Sequence, residues 1–173
     1  MNRMRSLLFA FAVIGNSAIA AAPDSEKLFG FKRGIVAVLG LDGGNADFVM
    51  KLAKPPGVTV YFQSNDAGEI AVVRKAAEKA KLLGTRIFVG TGSLKSVQLG
   101  NNVADGAIVG VSQVKNSSKS ELLRVLRPQA KAYFGTTTFI KPIPKGIDEW
   151  SHPYHQHDNH PRSQEPPRGK ECT

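Results

Sequence analysis

The sequence predicts an α/β fold, a three-layer αβα sandwich built on a five-stranded, mostly parallel sheet. Three observations predict it. From Gly34 to about Thr137, short β-branched runs alternate with amphipathic helical stretches, the pattern of linked βαβ units. The first run is apolar on both faces, as a strand covered by helices on each side should be. Crossovers between parallel strands are right-handed, which leaves the layered sandwich as the natural arrangement.

The first strand is expected near Ile35 to Leu41. After a glycine turn, Ala46 to Ala53 reads as a short helix, closed by the breaker Lys54-Pro55-Pro56-Gly57. Val58 to Gln63 gives the second strand. Asp66 is a good helix N-cap, with Ile70, Val73, Ala77 and Ala80 at helical spacing behind it and Gly84 as the expected C-cap. Arg86 to Val89 makes a third strand and Ala107 to Val111 a fourth, separated by a polar loop rich in Gly, Ser and Asn. Ser118 to Leu126 reads as a helix stopped by Pro128, and Lys131 to Phe134 as the fifth strand. Beyond Lys141 come prolines, aromatics and histidines, so residues 138–173 read as a linker and a partly disordered tail.

The beginning of the chain adds an address. Arg3 and Arg5 precede an apolar run from Leu7 to Ile14 and the small-residue triplet Ala18-Ile19-Ala20, the order of a cleavable secretory signal. Residues 1–20 are therefore expected to be a signal peptide, and the chain to be exported, periplasmic or secreted. The apolar run is shorter than the roughly 20 residues a bilayer-spanning helix takes, so no membrane span is expected after cleavage. The remainder, about 150 residues, suits one domain with a real core. A single cysteine, Cys172, allows no disulfide within the chain. The formal charge of +9 is scattered, with neither an aromatic-interleaved basic patch nor a helix-turn-helix signature, so nucleic acid is not an expected partner.

Two places could carry ligand chemistry. The turn Gly40-Leu41-Asp42-Gly43-Gly44 directly follows the first strand, where glycines let backbone approach a ligand and leave N–H groups aimed at a polar group. A tight turn that merely needs positive φ is the competing explanation. Asp66 lies just past the second strand, where an acidic residue in nucleotide-binding sheets accepts ribose hydroxyls. It sits a few residues late, and capping competes with that role.

The run Val38-Leu39-Gly40 leading to Gly44, with Glu121-Leu122-Leu123-Arg124-Val125-Leu126-Arg127-Pro128, resembles a class I S-adenosylmethionine-dependent methyltransferase, a Rossmann-like fold. The resemblance spans about Arg33 to Phe134, within an expected domain of residues 33–137. It implies S-adenosylmethionine as cofactor, held by Gly40, Asp42, Gly43, Gly44 and Asp66. Lys141-Pro142-Ile143-Pro144, then Ile147-Asp148-Glu149-Trp150-Ser151-His152 and His155, is similar to the junction before a PQQ-binding-like β-propeller in large exported bacterial proteins. It implies a β-propeller as partner or following domain, and PQQ only if that propeller follows.

Departures from the family pattern point to degeneracy. The acidic place before the first glycine is Val38, and the middle glycine is Asp42. After the fourth strand, where many members keep an Asn/Asp-Pro-Pro-Tyr segment, the chain has Gly110-Val111-Ser112-Gln113 and no evident general base. The family's last two strands are expected to be missing. Export separates the chain from a cofactor made in the cytoplasm, which agrees with an eroded pocket. The reading is thus a repurposed binding or scaffolding module, with a working methyltransferase of unknown acceptor as alternative.

A third reading rests on histidines. His152, His155, His157 and His160 fall in one short stretch near Asp148 and Asp158, so His152, His155 and His157 are candidate Zn or Cu ligands. Their spacing matches no compact zinc motif, which favours a structural or propeller-contact role over a metal.

Overall fold

The computed structural model describes residues 25–43 and 45–144. The expected signal segment, Gly44, Trp150, the four histidines and Cys172 lie outside the described residues. The chain forms α1 (Ser25–Phe29), β1 (Arg33–Leu39), α2 (Asp47–Leu52), β2 (Gly57–Ser64), α3 (Ala67–Lys79), β3 (Ile87–Thr91) and β4 (Ala104–Val109). A 3-10 helix (Val111–Asn116), α4 (Lys119–Val125), β5 (Leu126–Phe134) and β6 (Thr137–Ile140) complete it. No described helix is long and apolar enough to cross a membrane.

The six strands lie in the order β3-β2-β1-β4-β5-β6. β1 pairs in parallel with both β2 and β4, so the chain reverses its direction of winding between β1 and β4. Open α/β sheets bind ligands in the crevice outside the carboxyl ends of the strands at such a reversal.

Alternation along β1 divides the core. Val36 and Val38 face a cluster holding Val49 and Leu52 of α2 and Ile70, Val73 and Ala77 of α3, with Leu28 and Phe29 of α1 beside it. Ala37 and Leu39 face the other way, onto Leu122 and Val125 of α4 with Leu94 and Val97. Both layers of the expected sandwich are present. They are unequal, because the second face is covered by one helix and the loop between β3 and β4.

That loop is pinned by polar side chains. Gln63 is fully buried at the end of β2; its Nε2 donates to the carbonyls of Ser93 (2.7 Å) and Ser96 (2.9 Å), and its Oε1 accepts from the Gln98 N–H (2.9 Å). Glu121 accepts from the Val97 N–H (2.8 Å) and from Arg124, whose guanidinium also reaches the Val97 carbonyl and Asn101. Arg124 first, then the Val97 N–H, holds the Glu121 carboxyl below its ordinary range against the opposing effect of burial. The Glu-x-x-Arg motif therefore has a structural duty here.

Four expectations need correction. The sheet has six strands rather than five: Phe134 and Thr137 close a hairpin through Gly135 (φ 60°) and Thr136, and β6 runs antiparallel to β5. Thr138 to Ile140 therefore belong to the sheet and not to a linker. β5 starts at Leu126, ahead of Pro128, which falls where the register of the β4–β5 pairing shifts; a missing N–H is tolerated at such an irregularity. α3 ends not on Gly84 but on a Schellman turn with Lys81 left-handed (φ 56°), in which the Leu82 N–H donates to the Ala77 carbonyl and the Lys81 N–H to that of Glu78.

Candidate functional site

A cleft of about 350 Å³ opens at the reversal point, the low end of the roughly 300–1,000 Å³ usual for small-molecule sites. Its floor is Val38 of β1 and Ile108 of β4, with Phe48 of α2 and Tyr133 of β5 as walls. Asp42, Asn45, Asp47 and Lys51 supply its polar groups, and Gly40, Gly110 and Gly135 its rim.

Gly40 turns the chain with φ 70° and Gly43 with φ 74°, so both glycines meet a conformational need. Asp42 does more. Its carboxylate crosses to the segment after β4 and accepts from the Val111 N–H (2.7 Å), the Ser112 N–H (3.1 Å) and the Ser112 hydroxyl (2.8 Å). Burial pushes this carboxyl upward, but the bonds from Val111 and Ser112 outweigh it and leave the pKa below its ordinary value.

Glu69, not singled out in the sequence, performs a parallel task on the other side of the turn. Its Oε2 accepts from the Leu41 N–H (3.1 Å) and the Ser64 hydroxyl (2.6 Å). The signal for it was an acidic residue in the first turn of the helix after β2. Asp66 stands apart: its Oδ1 caps α3 by accepting from the Gly68 N–H at 2.6 Å. The structure thus brings Gly40 and Asp42 to the cleft, leaves Gly43 on the turn outside its lining, and uses Asp66 as a cap.

The glycine surfaces are occupied as well. A Cβ on Gly40 would meet the Gln113 side chain; one on Gly110 would come within 2.6 Å of the Asp42 carboxylate, and one on Gly135 within 2.6 Å of a Val114 methyl. Each of these glycines is thus closely packed on its Cβ side while it also lines the cleft. Among the described residues no group of three or more His, Cys, Asp or Glu side chains is placed to hold a metal ion.

No family model and no curated protein matches the chain. Solved structures do share its fold. One, described as an S-adenosyl-L-methionine-dependent methyltransferase from Methanococcus maripaludis, is 20% identical over 64% of this chain and 52% of that one, with a TM-score of 0.53. One described as a sarcosine dimethylglycine methyltransferase from Galdieria sulphuraria is 18% identical over 60% of this chain and 40% of its own (TM-score 0.51). The cyclase SpnF is 17% identical over 62% of this chain and 40% of its own (TM-score 0.52). The chain spans about half the length of the first and less of the others. A cyclase beside methyltransferases illustrates that this scaffold does not dictate one reaction. The sheet order, the reversal point and these neighbours together assign the chain the Rossmann-like fold of the S-adenosylmethionine-dependent methyltransferases.

Proposed function

We propose that this chain is an exported methyltransferase-fold domain that has given up cofactor chemistry and serves as a binding or scaffolding module beside a PQQ-like β-propeller. One observation carries the loss of cofactor chemistry. Backbone donors on the glycine turn and just after β4, those of Leu41, Val111 and Ser112, are already bound by Glu69 and Asp42. A polar ligand reaching for these donors would have to displace bonds of 2.7–3.1 Å to carboxylates. With those donors taken, the residues present do not fit S-adenosylmethionine in this arrangement.

The signal-like start supports the export part of the proposal, and the Asp-Glu-Trp-x-His-x-x-His string supports the propeller part. A second reading, a working S-adenosylmethionine-dependent methyltransferase, is favoured by the cleft at the reversal point. Calorimetric titration with S-adenosylmethionine and S-adenosylhomocysteine separates the two. Micromolar binding of either supports the enzyme and overturns the module; no measurable binding supports the module.

A further inference from the structure

We infer that the open cleft at the reversal point takes a small, flat, uncharged ring compound, seated on Val38 and Ile108 between Phe48 and Tyr133. The inference names the ligand class of the binding module proposed above and rests on that reading.

The cleft presents apolar surface that the core leaves uncovered. Val38 lies at its base, while Ile108, Phe48 and Tyr133 are only half-buried. A ligand covering them gains apolar burial that folding has not already used. A volume of about 350 Å³ suits a compound of one or two rings.

The aromatic walls are set in advance. The Tyr133 hydroxyl donates to the Leu28 carbonyl (2.7 Å), and its ring meets that of Phe29 edge-on at 5.6 Å between centroids. With its hydroxyl engaged, Tyr133 offers the cleft ring carbon. Phe48 stands on α2, which is anchored by the fully buried Val49 and Leu52. Walls fixed beforehand lose little freedom on binding, and two aromatic rings favour a flat aromatic guest.

The placing of the polar groups excludes charge. Asp42, Asp47 and Lys51, the acidic and basic residues described on the lining, are all exposed, where water screens them. The Asp42 carboxylate is engaged by Val111 and Ser112, and that of Asp47 by the Asn45 amide (3.2 Å). A charged group carried onto Val38 and Ile108 would shed its water and meet no buried partner of opposite sign among the described residues. An uncharged ring bears no such cost.

The experiment titrates the full chain with 2-naphthol, and with 2-naphthoate and 2-naphthylmethylammonium as charged analogues of similar size, following the methyl resonances of Val38 and Ile108. Saturable shifts with a dissociation constant on the order of 0.1 mM are expected for naphthol, and roughly tenfold weaker binding for both ions. Phe48→Ala should weaken naphthol binding severalfold, whereas Phe88→Ala, an exposed aromatic on β3, should leave it unchanged. Phe48→Leu, which removes the ring and keeps much of the bulk, carries the test if the alanine variant does not fold. No saturation by naphthol, equal binding of the ions, or equal loss in the Phe48 and Phe88 variants overturns the inference and leaves the module reading standing. Micromolar binding of S-adenosylhomocysteine overturns that reading itself.

Discussion

The Asp42 carboxylate accepts a hydrogen bond from the Val111 N–H at 2.7 Å, joining the turn after β1 to the segment after β4 across the mouth of the sheet. The two residues are 69 positions apart in the chain. The contact occupies a place where the fold ordinarily receives a ligand.

This contact has a pH signature. Because the folded pKa of Asp42 is depressed, its stabilisation is fully present above the ordinary value of 3.8 and is lost as pH falls through the lower folded value. Asp42→Asn should cost about 1 kcal/mol at neutral pH. The difference from the unaltered chain should shrink only below about pH 4, and urea denaturation at several pH values reads it directly.

Lys81 is left-handed at φ 56°, a conformation that costs a non-glycine residue roughly 1 kcal/mol. Lys81→Gly should therefore stabilise the chain by up to about 1 kcal/mol, seen as a melting temperature higher by a few degrees. No change would mean that the turn relaxes out of this conformation in solution.

Gln63 is fully buried, with both ends of its amide engaged in holding the β3–β4 loop. Gln63→Leu keeps similar bulk but strands two carbonyls and an N–H. A loss of about 2–4 kcal/mol is expected in denaturant melts, at roughly 1–3 kcal/mol per stranded buried group with partial rescue by water.

Glu121→Gln should loosen the same loop from the α4 side, since the charge that draws Arg124 is gone. A lower urea-denaturation midpoint is expected from the loss of this charge-assisted pair. Faster exchange at the Val97 amide, which donates to Glu121, separates this effect from a general loss of stability.

The sheet was legible in the sequence because buried parallel strands are written as continuous β-branched runs, and β1 to β4 lie within a few residues of where those runs fall. Asp66 was legible as a cap because capping is local. β6 was not, since Thr137-Thr138-Phe139-Ile140 is short and follows a linker-like composition; the signal available was Gly135-Thr136, a two-residue hairpin turn with glycine first. Glu69 and Gln113 were hidden for a different reason. Their partners, Leu41 and Gly40, are brought to them by the fold, and nothing in the spacing announces the contact. Asp42 was visible as a departure from a glycine pattern, yet its role as a bond across the crevice needed the geometry.

Isothermal titration of the full chain with S-adenosylhomocysteine at neutral pH decides whether the crevice is closed to the cofactor. With Asp42 and Glu69 holding the crevice donors, no saturable binding is expected below about 1 mM, or some 4 kcal/mol of binding free energy. A dissociation constant in the micromolar range would contradict it.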